Sequence, residues 1–318
     1  MNSDIDKYYL DMTLKLAQKG EFTVYPNPKV GAILVKDNKI VGSGYHKTTG
    51  SPHAEAIAIK KAGSKTKNST LYVNLEPCSH FGKTPPCVDL IIKHKIKRVV
   101  IGNYDPNPLV NKKSINKLRR AGISVSTGIL KQKATLLNKE FYHMHQSNVP
   151  HVTVKVGLSL DGKIALHNGY SKWITSAESR QDVQRERAKS SVILSTSKTI
   201  LKDNPLLNVR ESSYLKKLRK QPDLAVIDNQ LKLNGNLNIF NIPNRKILLF
   251  TQSSKKKKFG ENVEIIRLVR NHNYLMQVFK LLLERGHYKI FVEHLSPNQV
   301  IDQTQLYLNL IMKLVRCQ

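Results

Sequence analysis

Three short pieces decide how this chain reads: His53-Ala54-Glu55, then Pro77-Cys78, then Cys87. One imidazole, one carboxylate two residues on, and two thiols further downstream make a zinc-hydrolase set. Zinc takes nitrogen and sulfur ligands in a tetrahedron, and a catalytic site leaves one corner for water. His53, Cys78 and Cys87 would fill three corners, and the ion would lower the pKa of a bound water toward ~7. Glu55 is expected to carry protons rather than ligate. A two-residue step turns ~200° around a helix, so His53 and Glu55 cannot share one side of it. The metal is therefore expected over the N-terminal end of a helix that opens at Ser51-Pro52-His53. Each piece alone is common; the order of all three, with a strand leading into Pro77, carries the reading. His80 reads as a loop or substrate contact, since a fourth protein ligand would displace the water.

The bulk numbers set limits. A length of 318 residues allows two ordinary domains, and 40% hydrophobic content is enough for packed cores. No run approaches the ~18 apolar residues of a membrane helix, and Met1-Asn2-Ser3-Asp4 has no signal pattern. The chain therefore reads as cytoplasmic, with no membrane partner. Three cysteines, Cys78, Cys87 and Cys317, are too few for a disulfide scaffold. The net charge of +29 comes from 52 basic against 23 acidic residues. Most of the basic residues are lysines, scattered or in short runs such as Lys255-Lys256-Lys257-Lys258. Nothing interleaves them with aromatics as an RNA-stacking surface would. Nucleic acid is therefore not expected as the main substrate; a small phosphorylated ligand suits the same field.

Outward from the zinc set, strand and helix alternate. A helix is predicted over 6–18, with Leu10, Leu14 and Ala17 on one face. Pro26-Asn27-Pro28-Lys29-Val30-Gly31 reads as an extended substrate floor, with the Asn27 amide facing a base edge. Strands follow at 30–35, 39–44, 70–75, 98–102 and 123–126. Helices follow at 53–62, 88–94 and 114–121. The inner face of the helix after His53 should be Ala54, Ile57, Ala58 and the stem of Lys61. Asp105-Pro106-Asn107-Pro108 reads as a turn, and 130–145 as a polar helical link between domains. Beyond Pro150, strands at 151–156, 191–195, 223–227, 246–250 and 289–293 alternate with helices at 176–188 and 273–284. Both halves are α/β, with domains at 1–147 and 148–318.

The His-x-Glu and Pro-Cys pieces are the signature of zinc nucleobase deaminases. More closely, the chain resembles the bifunctional bacterial riboflavin-biosynthesis deaminase-reductases. Pro26-Asn27-Pro28, His53-Ala54-Glu55, and Glu76-Pro77-Cys78-Ser79-His80 leading to Thr84-Pro85-Pro86-Cys87 stand as that family has them. So do Ser159-Leu160-Asp161-Gly162, Trp173-Ile174-Thr175 and Asp203-Asn204-Pro205 with Arg210. The resemblance implies a cytidine-deaminase-like three-layer domain followed by a dihydrofolate-reductase-like α/β domain. It implies hydrolytic deamination of 2,5-diamino-6-(5-phosphoribosylamino)pyrimidin-4(3H)-one, then NADPH-dependent reduction of the ribosyl chain to ribityl. Zinc and NADPH are the implied cofactors, and a homo-oligomer the implied assembly. Position by position, Gly157, Trp173, Thr199 and Asp203 match NADP contacts, and Ser171, Arg187, Leu207, Arg210 and Glu293 match substrate contacts. Trp173 could equally be core, and Arg187 could pair with Glu186 or Asp182 on its own helix.

After Phe291-Val292-Glu293 the family continues with a glycine-containing loop, whereas this chain reads His294-Leu295-Ser296-Pro297. Glycines there would let backbone N–H groups cradle a cofactor phosphate. From 294 the chain is expected to be truncated or altered and without family likeness, leaving the reductase half weak or inactive. Two alternatives follow: a deaminase with a defective reductase half, or a tRNA-editing deaminase. The nine-residue spacing of Cys78 and Cys87 argues against the latter.

Overall fold

The computed structural model describes residues 3–81, 85–158, 163, 176–270 and 273–293, with the backbone of 311–316. The chain folds as two compact units, Met1–Asn148 and Val149–Gln318. No described helix is long and apolar enough to cross a membrane.

The first unit runs α1 (Ser3–Gln18), β1 (Gly31–Lys36), β2 (Lys39–Tyr45), α2 (Ala54–Ala62), β3 (Thr70–Leu75), α3 (Cys87–Lys93), β4 (Arg98–Asn103), α4 (Lys113–Arg120), β5 (Ser124–Thr127), α5 (Lys131–Leu137) and α6 (Lys139–Ser147). Its sheet has the order β2-β1-β3-β4-β5, with β1 antiparallel to both neighbours and β3, β4 and β5 parallel. Strand alternation builds three layers. Ala32, Leu34, Leu71, Val73, Val99 and Ile101 pack on one face against Ala58, Ile59, Val88, Ile91, Ile115 and Leu118. Ile33, Val35, Tyr72 and Val100 pack on the other against Tyr9 and Leu10 of α1. Each such aliphatic side chain stabilises the fold by about 1.5–3 kcal/mol when fully buried. Glycines let the helices sit close. A Cβ on Gly31 would lie 2.2 Å from Thr13 O, and one on Gly44 would lie 2.5 Å from Ala54 O. Gly44 thus sets the start of α2 against β2.

Two readings need correction. The inner face of α2 is Ala54, Glu55, Ala58, Ile59 and Ala62, while Ile57 is only half-buried and Lys61 exposed. The 3.6-residue period places Ile59 and Ala62 inward once Ala54 and Ala58 are fixed. The 130–145 stretch is two helices that break at Asn138 and belong to the first unit. Its Ala134, Phe141 and Tyr142 are buried, so it packs rather than links.

The second unit runs β6 (His151–Leu158), α7 (Ala177–Lys189), β7 (Val192–Thr196), α8 (Ser197–Asp203), α9 (Ser212–Leu215), β8 (Asp223–Ile227), β9 (Ile247–Thr251), β10 (Val263–Arg267), α10 (Tyr274–Glu284), β11 (Lys289–Glu293) and β12 (Ile311–Arg316). The sheet order is β10-β9-β8-β7-β11-β6-β12 and every pairing is parallel. Parallel strands are covered on both faces, which explains the unbroken burial of β8 and β9. Sequence reading missed β10 and β12. β12 pairs with β6 from Ile311↔Thr153 to Arg316↔Leu158, so chain beyond 293 returns to the sheet. Ser159 to Gly162, Thr84, and 294–310 lie outside the described residues.

Candidate active sites

His53 stands one residue before α2, in extended conformation (φ −71°, ψ 164°), and Glu55 is the second helical residue. The chain turns into helix between them, which frees both to reach one place over the helix start. Cys78 follows β3, and Cys87 opens α3. The Val88 N–H donates to Cys78 O at 3.2 Å, closing the intervening loop. His53 Nδ1 lies 3.5 Å from Cys78 Sγ and 3.3 Å from Cys87 Sγ. All three ligand atoms lie within 4.8 Å of one another. Zn–N and Zn–S bonds of about 2.05 and 2.3 Å at tetrahedral angles would separate nitrogen and sulfur by about 3.6 Å. The residues fit zinc.

The electrostatics fit as well. The Cys87 thiol, hydrogen-bonding to Cys78, brings the Cys78 thiol down to about 4, and the Cys87 N–H donates to Cys78 Sγ at 3.3 Å. In return, the bond to Cys78 and burial push Cys87 well up. Two thiolates this close need a cation between them. Burial raises the Glu55 carboxyl. Glu55 is 3% exposed, and its Oε2 has no hydrogen-bond partner among the described residues. A buried carboxylate oxygen without a partner is costly, and it suits a group that meets water and substrate.

His53, Glu55 and Cys78 line a cavity of about 380 Å³ with Asn27, His46, Glu76, His80, Asp105, Asn107 and Phe141. Asn27 Nδ2 lies 3.0 Å from His46 Nε2, and His46 Nδ1 faces Pro52 O at 3.5 Å. Burial lowers the His46 pKa. A neutral ring protonated at Nδ1 therefore accepts from Asn27. Across the cavity, Glu76 accepts from Ser114 Oγ (2.5 Å), Lys112 N (3.0 Å) and Asp105 N (3.3 Å). Asp105 Oδ1 accepts from Asn107 N at 2.8 Å. Sequence reading missed His46, Glu76, Asp105 and Asn107. Only the Asp-Pro-Asn-Pro run signalled anything, and it read as a turn.

Burial, helped by the charges of Glu76 and Cys78, pushes the Asp105 carboxyl from 3.8 up to about 7. A carboxyl raised in the fold binds its proton more tightly folded than unfolded. Its contribution is therefore present below pH ~4 and lost as pH rises through ~7. Asp105→Asn should remove that slope and gain about 1–3 kcal/mol on wild type between pH 5 and 8. Thermal midpoints of both proteins at the two pH values check this; parallel profiles would count against it.

In the second unit, Arg187 of α7 pairs with Glu293 at the end of β11: Nε to Oε1 at 2.7 Å and Nη2 to Oε2 at 2.9 Å. Its Nη1 donates to Asn208 O at 2.9 Å, and Arg210 Nη1 donates to Asn208 Oδ1 at 3.4 Å. So Arg187, Arg210 and Glu293 come together, and the partner of Arg187 is Glu293 rather than an acid on its own helix. Leu207 is buried at φ +46°, and its carbonyl accepts from buried Arg245 at 2.7 Å. Gly157 lies near the carboxyl end of β6, opposite Val315; Thr199 is on α8 after β7; Asp203 ends α8, exposed. Carboxyl ends of parallel strands are where such sheets take ligands. Ser171 and Trp173 lie outside the described residues. Glu293→Ala leaves a buried guanidinium unpaired and should cost about 3–5 kcal/mol. A urea midpoint for the second unit equal to wild type would contradict this.

Two family profiles match. "Cytidine and deoxycytidylate deaminase zinc-binding region" covers residues 3–103, and "RibD C-terminal domain" covers 150–294. The riboflavin biosynthesis protein RibD of Escherichia coli K12 is 41% identical over 293 residues, 90% of this chain and 79% of that protein. The chain belongs to the RibD family. It is thus an enzyme of riboflavin biosynthesis with a zinc-binding deaminase domain and a reductase domain. A solved Thermotoga maritima structure described as a diaminohydroxyphosphoribosylaminopyrimidine deaminase/5-amino-6-(5-phosphoribosylamino)uracil reductase is 35% identical, with a TM-score of 0.84. It is covered over 85% of its length and covers 96% of this chain. RibD of Buchnera aphidicola (Baizongia pistaciae) is 38% identical over 98% of this chain and 86% of its own. That alignment leaves about 2% of the chain uncovered, far less than the 25 residues after Glu293. That alignment therefore runs on past Glu293, whereas the reductase profile ends at residue 294, and β12 returns part of the tail to the sheet.

Proposed function

We propose that the first unit deaminates 2,5-diamino-6-(5-phosphoribosylamino)pyrimidin-4(3H)-one. We further propose that the second reduces the ribosyl chain of the product to ribityl with NADPH. The convergence of His53, Cys78 and Cys87 beside buried Glu55, whose Oε2 has no hydrogen-bond partner among the described residues, carries the first half. His53 Nδ1 and the two sulfurs hold the metal. Zinc, when bound, supplies a Lewis acid that makes water nucleophilic near neutral pH. Glu55 takes a proton from the water that adds to the amino-bearing ring carbon. It gives that proton to the ring nitrogen, then carries the remaining proton of the hydroxyl on the same carbon to the leaving amine, so ammonia departs and a carbonyl remains. A carboxyl raised by burial is suited to both taking and giving a proton. Asn27, positioned by neutral His46, hydrogen-bonds the base edge.

In the second unit, Gly157, Trp173, Thr199 and Asp203 are assigned to hold NADPH, which when bound supplies the hydride. Ser171, Arg187, Leu207, Arg210 and Glu293 are assigned to the substrate. Arg187 is already neutralised by Glu293, so exposed Arg210 is the better partner for the phosphate. The reducing cytoplasm suits the free thiols of Cys78 and Cys87.

The test is to incubate the pure zinc-loaded chain with the diamino nucleotide, with and without NADPH, and identify products by mass spectrometry. Deamination alone is expected without NADPH, and the ribityl product with it. Unchanged substrate overturns the first half of the proposal. Deaminated product that NADPH leaves unreduced overturns the second.

A further inference from the structure

The floor of the deaminase cavity begins where the sheet has not yet started. Pairing of β1 opens at Gly31 with β2 and at Ala32 with β3, so Lys29 lies before the ladder. Two buried asparagine amides stand in for the missing strand. Asn138 Oδ1 accepts from Lys29 N at 2.8 Å, and Asn138 Nδ2 donates to Lys29 O at 2.9 Å. Asn74 Nδ2 donates to the same carbonyl at 3.0 Å, and Asn74 Oδ1 accepts from Gly31 N at 2.7 Å. Asn74 and Asn138 are 1% and 2% exposed. One amide that both donates to and accepts from a single residue fixes the position and the rotation of its peptide planes. Asn27 is two residues away, separated only by Pro28, whose ring restricts the link.

Asn138 sits at the corner between α5 and α6, and the same corner reaches the opposite wall. Asn103 Nδ2 donates to Thr135 Oγ1 at 2.8 Å, and Tyr142 Oη donates to Tyr104 O at 2.7 Å, beside Asp105. Phe141, three residues after Asn138, lines the cavity itself. A segment remote in sequence from the zinc ligands thus braces both sides of their pocket.

We infer that Asn138 is a positioning residue for deamination: it holds the Lys29 peptide so that Asn27 meets the substrate ring at the right height over the zinc site. The inference rests on the deaminase reading of the pocket. Two buried hydrogen bonds are lost in Asn138→Ala, and deaminase kcat/KM should fall about ten- to a hundredfold. Zinc content and NADPH-dependent reduction of the deaminated product, which use other residues, should stay at wild-type levels.

The discriminating measurement is a double-mutant cycle with Asn27→Ala. Acting through Asn27, the Asn138→Ala change should add little in the Asn27→Ala background. Asn138→Gln, which keeps donor and acceptor but displaces them, carries the same test should the alanine variant not accumulate, with an intermediate loss expected. Wild-type deamination by both single variants would overturn the inference, as would full additivity of the two losses. So would loss of zinc by the variants, since the residue would then be supporting the metal site. A wild-type chain that holds zinc but does not deaminate the nucleotide would instead remove the reading beneath it.

Discussion

Glu55→Gln should keep a full complement of zinc and lose deamination by about a thousandfold or more in kcat. The substitution preserves shape and volume, and Glu55 is not among the atoms that converge on the metal position. What it removes is a group that can take and give a proton in the middle of the reaction, worth about 10²–10⁴-fold where the transfer is rate-limiting. The site offers few substitutes. His53 is turned toward the sulfurs through Nδ1, and Asp105 lies across the cavity, engaged with Asn107 N. Glu55 is buried on α2 between Ala54 and residues that pack on the sheet, so the amide has nowhere to swing. Substrate KM should move much less than kcat, because the proton is needed at the barrier and not for binding. Metal analysis and steady-state kinetics on one preparation decide the matter. Zinc lost along with activity would mean that Glu55 holds the metal and that its assigned role is wrong.

What the chain disclosed beforehand and what it withheld differ by range. His53, Glu55, Cys78 and Cys87 were legible because zinc chemistry restricts ligands to a few residue types, and their order is written locally. The placement of the metal over the helix start could be derived too, since residues two apart on one helix cannot face the same way, although His53 lies one residue before α2 and not within it. Apolar runs announced most strands of both sheets, because strands covered on both faces read as continuous hydrophobic stretches. Pairings over long distances left no such trace. Nothing at Lys29 points to Asn138, and nothing around Arg187 points to Glu293, 106 residues on. A polar side chain in a helical pattern reads as solvated surface unless its partner is known, which is why Asn138 passed for part of a linker. Glu76 was hidden differently: it lies inside the Pro-Cys motif, and its work is to receive N–H groups from a loop more than 28 residues away. β10 was missed because Glu264 and Arg267 break its apolar run, though an edge strand tolerates them; Glu264 pairs there with Lys246 and Arg285.

Cys87→Ser should lose metal and deamination together. A serine hydroxyl keeps its proton far above neutral pH, so it cannot replace a thiolate, and it is shorter than the sulfur it replaces. His53 and Cys78 would remain, but two ligands hold zinc far less tightly than three, and metal binding contributes folding free energy in proportion. The loss should also reach the fold around the site. Cys87 is 2% exposed at the first position of α3, and its N–H donates to Cys78 Sγ. The unfolding transition of the first unit should therefore move down on substitution, and by about as much when wild type is stripped with a chelator. Stripped wild type should recover on adding zinc, whereas Cys87→Ser should not. Reduction of the deaminated product by the second unit should continue in both, because its assigned groups all belong to the second unit and these sulfurs to the first. Wild-type zinc content in dialysed Cys87→Ser would show that the ion sits elsewhere, and the chemistry assigned to Glu55 would lose its foundation with it.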